Sequence, residues 1–198
     1  PAKRAGNEFA FMMQAIQNIE LLKGYEIQKI VTGCPHCFNT LKNEYPELGA
    51  DFEVVHHTQL INQLIREGRL LLKGGGKFEG KKITFHDPCY LGRANDVYEA
   101  PREVLEKLDA ELVEMKRSKA KGLCCGAGGA QMFKDAEKGN KEINIERTED
   151  AIEVNADYIA TGCPFCNTMM TDGIKHFEKE EKVKVLDIAE LISNAADL

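Results

Sequence analysis

Five cysteines of this 198-residue chain, Cys89, the adjacent Cys124 and Cys125, and Cys163 with Cys166, form the array C-x34-CC-x37-CxxC. Thiolate sulfur is the ligand of zinc and of iron–sulfur clusters, so the array is a candidate multi-thiolate metal site. Five thiols exceed the four that one tetrahedral zinc needs. A multi-iron cluster fits the count better, with a four-thiolate zinc site, or disulfides and free thiols, as the alternatives. Cys34 and Cys37 make a second CxxC. They read as further metal ligands, against a redox-active dithiol or a structural pair.

These thiols need elements to bring them together. Each CxxC carries proline after its first cysteine, Pro35 and Pro164. Proline suits the first turn of a helix, where the positive end of the helix lowers thiol pKa. The doublet is harder to place, because neighbouring side chains in regular structure point apart. Gly126, Gly128 and Gly129 supply the backbone freedom to aim both thiols at one site, and let N–H groups approach sulfur. As a nucleotide-binding loop the same segment is poor, since it lacks the third spaced glycine.

The chain repeats itself. Ile30–Thr40 reads against Ile159–Thr168, with Cys34 and Cys163 lying 129 residues apart. Each CxxC is followed by a polar helix-like stretch, a short strand (Phe52 to Val55; Val183 to Leu186) and an amphipathic helix. Those helices carry Leu60, Ile61, Leu64 and Ile65 in one copy, and Ile188, Leu191 and Ile192 in the other. Before the first CxxC, Phe9, Met12, Met13, Ile16 and Ile19 recur at helical spacing and read as a core stripe, and Tyr25 to Val31 reads as a strand.

Between the copies, Lys73–Lys77 is glycine-rich and reads as a linker, which sets the boundary at about Gly75. A strand over Lys82 to His86 delivers Asp87-Pro88-Cys89 into a loop, where Asp87 suits a turn role. Pro101 suits the first turn of a helix running to about Leu108, and Leu112 to Met115 reads as a strand leading to the doublet. Alternating strands and helices predict an α/β layered fold with largely parallel strands, whose carboxyl ends gather the cysteine loops around a crevice. Residues 76–198 hold a complete set of cysteines, whereas residues 1–75 hold only the closing CxxC. The first unit therefore reads as incomplete, and Pro1 in place of an initiator Met suggests a fragment.

Composition narrows the rest. The hydrophobic fraction of 43% suits a folded domain, and the 26 basic residues are mixed with 32 acidic ones for a net charge of −6, which excludes a nucleic-acid footprint. Apolar runs such as Leu70–Leu72 are far too short to span a membrane, and no leader pattern opens the chain. An odd cysteine count argues against a disulfide framework and for a reducing, cytoplasmic setting, with membrane association through another subunit or a missing segment. His36 and His86 read as polar loop residues, with donation of a proton or hydrogen bond near the cysteines as the alternative. Arg93 is a candidate partner for a carboxylate or an anionic substrate. His56, His57 and His176 lack ligand spacing, and the acidic run Glu178–Glu181 reads as a solvated helix end.

His86-Asp-Pro-Cys-Tyr-Leu-Gly-Arg93, Gly122-Leu-Cys-Cys-Gly-Ala-Gly-Gly129 and Thr161-Gly-Cys-Pro-Phe-Cys166 together resemble the cysteine-rich CCG domain, and the likeness covers essentially the whole chain. That domain occurs, usually twice, in heterodisulfide reductase catalytic subunits and in iron–sulfur subunits of glycolate oxidase and related respiratory oxidoreductases. The resemblance implies a noncubane [4Fe-4S] cluster on Cys89, Cys124, Cys125, Cys163 and Cys166, with Cys34 and Cys37 matching the end of a second pattern. It further implies an iron–sulfur oxidoreductase subunit passing electrons from a flavoprotein or ferredoxin-like donor to a quinone-linked or disulfide acceptor. The alternative is a non-catalytic zinc-binding structural or assembly module that uses the same cysteines.

Overall fold

The computed structural model describes residues 2–72, 76–135 and 138–196. It is an α/β protein with two parallel sheets. The first half runs α1 (Glu8–Gly24), β1 (Lys29–Thr32), α2 (Pro35–Asn39), β2 (Glu53–His56) and α3 (His57–Arg66). The second runs β3 (Lys82–Phe85), α4 (Glu99–Leu105), β4 (Glu111–Leu112), α5 (Ile143–Glu153), β5 (Tyr158–Thr161), α6 (Pro164–His176), β6 (Lys184–Asp187) and α7 (Ile188–Ala196). The repeat is thus structural: β1–α2–β2–α3 has its counterpart in β5–α6–β6–α7. The boundary placed at about Gly75 lies outside the described residues, as do Lys73, Gly74 and Pro1.

β1 pairs with β2, and the larger sheet has the order β4-β3-β5-β6, every pair parallel. From β3 the chain winds outward to β4, then returns to place β5 on the other side of β3. The winding therefore reverses between β3 and β5, and the crevice at such a reversal is where open parallel sheets bind ligands. The loops after β3 and β5 carry Cys89 and Cys163.

Side-chain alternation along the central strands builds two cores. Ile83 and Phe85 of β3 and Ala160 of β5 face a cluster completed by Val104, Leu105, Ile188 and Leu191, onto which Ile61 and Ile65 of α3 also pack. Ile159 points the other way, into a cluster with Met115, Ala151, Met170 and Ile174. Helix α3 from the first half so contributes to the core of the second.

Several sequence expectations need correction. In α1, Phe9, Met12, Met13 and Ile16 are 76%, 42%, 46% and 40% exposed, so of the expected core stripe Ile19 alone is buried; Ala15 is buried with it, and Phe11 packs beside them. The helix is apolar on two sides, and Tyr45, Ala50 and Phe52 cover the side carrying Phe11, Ala15 and Ile19. Its start is set by Asn7, whose side chain accepts from the Ala10 N–H at 3.0 Å. Tyr25 is exposed and Glu26 takes a positive φ, so the following strand begins only at Lys29. β4 covers just Glu111–Leu112, and Leu112–Met115 is not a continuous strand.

Gly173 shows how closely α5 and α6 approach. A Cβ there would overlap Thr148, whose own Cβ stands 2.8 Å away. Thr148 is fully buried and donates its hydroxyl to the Asn144 carbonyl at 2.8 Å, so it has little room to yield. Gly173→Ala should therefore destabilise the fold by about 1–3 kcal/mol of overpacking, reduced by up to about 1 kcal/mol of gained helix propensity. The denaturant midpoint reads this directly, and an unchanged midpoint would contradict the packing.

Candidate metal centre

Both CxxC motifs have the same local construction. Cys34 and Cys163 are extended residues immediately before a helix that opens with proline, and each follows its strand by one glycine. The next residues differ: α6 continues through 13 residues, while α2 stops at five and passes into a widened turn over Thr40–Glu44 and a tight turn over Tyr45–Leu48 containing Pro46. Cys89 stands in the loop after β3. The doublet is not at a strand end: it lies 12 residues beyond β4, reached through a helical turn at Lys119–Lys121. Gly126 and Gly129 have φ of +89° and +66°, so the backbone turns as expected at these two glycines, and the Gly126 N–H donates to Cys124 Sγ at 3.3 Å.

All seven cysteines are free thiols. They form one continuous series of hydrogen-bonded neighbours: Cys89 with Cys124, Cys124 with Cys125, Cys125 with Cys166, Cys166 with Cys163, Cys163 with Cys34, and Cys34 with Cys37. Cys125, Cys163 and Cys166 are buried, Cys34, Cys89 and Cys124 half-buried, and Cys37 exposed. The five thiols of the array therefore converge, and Cys34 joins them from the other repeat.

Thiols packed so closely cannot all ionise unaided. Hydrogen bonds from Cys125 and Cys89 hold Cys124 down to about 2, and those from Cys163 and Cys37 pull Cys34 far below the ordinary thiol range. Their neighbours move the opposite way. Cys125 is pushed up to about 11, chiefly by its bond to Cys124, and Cys89 and Cys37 rise well above the usual value through bonds to Cys124 and Cys34. Cys166 is raised by Cys125, Cys163 and burial. The bond from Cys166 works to lower Cys163, yet Cys34 and burial together carry it up to about 12. Cys124 and Cys34 are thus shifted toward the charged form and their neighbours away from it, and a multivalent cation would draw thiolate from the whole set. An all-sulfur donor set of this kind, buried at Cys125, Cys163 and Cys166, fits a cluster of soft metal ions.

Charged side chains fix the loops that carry the thiols. Arg102, 3% exposed, spans Asp87 with two hydrogen bonds of 2.8 and 3.0 Å and Glu114 with two of 2.6 and 3.0 Å. Asp87 also accepts the Lys119 N–H at 2.7 Å, so it ties the Cys89 loop to the turn ahead of the doublet rather than serving a local turn alone. Arg93, a candidate partner for a carboxylate or substrate, donates instead to the Gly122 carbonyl at 2.6 Å and clamps the same segment.

The histidines carry more than their sequence positions suggest. His86 is 1% exposed in a β-like continuation of β3, not a polar loop residue, and a ring nitrogen of it lies within 4.8 Å of the sulfurs of Cys125 and Cys166. His56 is wholly buried against Thr58 and held down to about 4 by burial, and His57 reaches across the repeats to Asp187 at 2.9 Å. The His56 and His57 rings lie in van der Waals contact with Gly162 and Gly33, directly ahead of the two CxxC motifs: a Cβ there would stand 3.5 Å from His56 and 3.6 Å from His57. His36 packs on Tyr90 and Phe165, its Nδ1 3.9 Å from Cys34 Sγ. A cavity of about 500 Å³ opens beside it, lined by Cys34, Cys37, Tyr90, Phe165 and Met132, with Arg4 at its rim.

Parallel strands that carry Cys34, Cys89 and Cys163 at their carboxyl ends, with the doublet brought to them by a loop, define an α/β class with a cysteine-lined site. The chain belongs to the cysteine-rich CCG domain family, which matches residues 1–42 and 83–171. It is 46% identical over 194 residues to a probable iron-sulfur-binding oxidoreductase, FadF, of Bacillus subtilis, covering 98% of this chain and 27% of that protein. It is 41% identical over 202 residues to the EtfAB:quinone oxidoreductase of Syntrophomonas wolfei, covering 99% and 28%. It is 36% identical over 192 residues to one subunit of the dihydromethanophenazine:CoB--CoM heterodisulfide reductase of Methanosarcina barkeri, covering 93% and 44%. The chain thus spans less than half the length of these relatives. Among the described residues, no helix is long and apolar enough to cross a membrane.

Proposed function

We propose that Cys89, Cys124, Cys125, Cys163 and Cys166 hold a [4Fe-4S] cluster of noncubane type, and that the chain is the electron-carrying part of an iron–sulfur oxidoreductase. The observation that carries this reading is the convergence of the five thiols at the reversal between β3 and β5. The relatives' names, with iron–sulfur, quinone oxidoreductase and heterodisulfide reductase among them, support it. Cys34 and Cys37 are assigned as ligands of a first CCG-type site. Residues 1–75 then form the closing half of that domain, and residues 76–198 the second domain.

The cluster would supply one-electron storage at a potential set by its ligands and their hydrogen bonds. The protein's own groups do the rest. Asp87, Arg102 and Arg93 hold the ligand loops in register, and the Gly126 N–H bonds a ligand sulfur. Burial of Cys125, Cys163 and Cys166 keeps water from the inner sulfurs. The cavity beside Cys34 and Cys37 is large enough for the reactive end of a quinone-linked or disulfide acceptor, with electrons entering from a flavoprotein or ferredoxin-like partner.

Anaerobically prepared protein, reduced with dithionite, should regain its oxidised visible spectrum when mixed with a quinone analogue or with a small disulfide, and the faster arm identifies the acceptor. Zinc at one equivalent with no visible absorbance would contradict the reading and favour a structural module on the same cysteines.

A further inference from the structure

We propose that His86 donates a hydrogen bond from Nε2 to a sulfur of the metal group held by Cys125 and Cys166, and that Arg147 positions it by fixing the imidazole tautomer. The proposal rests on the cluster assignment above and adds a residue to it.

Arg147 lies in the middle of α5 and is fully buried. Its Nε–H donates to His86 Nδ1 at 3.0 Å. A guanidinium has only donors, so Nδ1 must be the acceptor, and the proton of the neutral ring sits on Nε2. Nε2 is itself buried and has no hydrogen-bond partner among the described residues. The histidine's ring and the sulfurs of Cys125 and Cys166 meet within 4.8 Å, with Nδ1 already engaged by Arg147. A buried donor left unpaired is unfavourable, and the sulfur group beside it is the available acceptor. Desolvation first, and the charge of Arg147 next, keep the ring neutral by pulling its basicity down to about 3.

The same geometry argues against His86 as a metal ligand. Coordination through Nε2 would require its proton to move to Nδ1, where the Arg147 N–H already points. Arg147 is held in turn: Nη1 donates to the Arg117 carbonyl at 2.6 Å and to Asp150 at 3.1 Å, and Asp150 also takes both Nε and Nη2 of Arg117, at 2.7 and 2.8 Å. A donor locked in this way favours the more negative, reduced state of the sulfur group, so it raises the reduction potential.

The test uses the anaerobically prepared protein with its iron and acid-labile sulfide measured first. In the reduced wild type, electron-nuclear double resonance after transfer to heavy water should show an exchangeable deuteron and a weakly coupled histidine nitrogen. His86→Leu should keep the iron content, lose the histidine nitrogen coupling and the part of the deuteron signal not due to the Gly126 N–H, and make reduction about tenfold less favourable, about 59 mV for a one-electron couple. His86→Gln, which retains an N–H donor, should recover part of the shift. Arg147→Met should shift the potential in the same direction, and Arg147→Lys should restore it. An unshifted potential in His86→Leu at full iron content, or no exchangeable deuteron in the wild type, would overturn the proposal. So would the strong nitrogen coupling of a directly bonded imidazole. Absence of iron and sulfide would sink the cluster assignment instead, which separates the two failures.

Discussion

Cys125→Ser should lose more than half of the bound iron and alter the electron paramagnetic resonance of whatever remains. Cys125 stands in the interior of the thiol series, hydrogen-bonded to Cys124 on one side and to Cys166 on the other, and it is only 4% exposed. Serine is nearly isosteric, but its alkoxide forms far less readily than a thiolate and suits hard cations better than soft ones. Burial leaves no water to take the empty position, so the substitution removes a ligand and not merely a side chain. Met12→Leu is the matched control: Met12 is 42% exposed on α1 and touches none of this, so its iron content and spectrum should equal those of the wild type. Normal stoichiometry in the Cys125 variant would count against the ligand assignment.

Arg102→Met should cost about 3–5 kcal/mol, because it leaves the buried Asp87 carboxylate without its cation. At about 2–4 °C per kcal/mol for a chain of this size, the melting temperature should fall by roughly 6–20 °C. The loss extends to the site, since Asp87 also holds the Lys119 N–H ahead of the doublet. Pairing the change with Asp87→Asn should recover much of the stability, as the unpaired charge is then gone. A melting temperature within a degree or two of the wild type for Arg102→Met alone would show that Asp87 finds other compensation. Full recovery of iron binding in the double variant would show that the ion pair serves stability more than ligand placement.

Local chemistry made part of this architecture legible. Proline after the first cysteine of each CxxC marked the helix starts at Pro35 and Pro164, and strand-to-loop transitions placed Cys34, Cys89 and Cys163 at carboxyl ends. The duplicated motif announced the repeat of strand, helix, strand and helix. What stayed hidden depends on how distant elements meet. Phe9, Met12, Met13 and Ile16 have the spacing of a buried face, but α1 has two apolar sides and only the Phe11, Ala15 and Ile19 side is covered. Nothing within its own helix signals that Arg147 is buried against His86. The meeting of His57 with Asp187, 130 residues apart, and of Cys34 with Cys163 arises from the mutual placement of the two repeats, which no local pattern encodes. The missed signal for His86 was its position: it continues a strand in which Ile83, Thr84 and Phe85 are all buried, and a histidine there is buried with them.

Whether five converging thiolates hold one polynuclear iron–sulfur group is tested most directly by Mössbauer spectroscopy of the protein prepared anaerobically with iron-57. Iron and acid-labile sulfide are expected in equal amounts, about four of each per second-repeat site, with quadrupole doublets of sulfur-ligated iron that are no longer those of a symmetric cubane. Iron-free protein carrying a single zinc, or mononuclear iron without sulfide, would contradict the assignment.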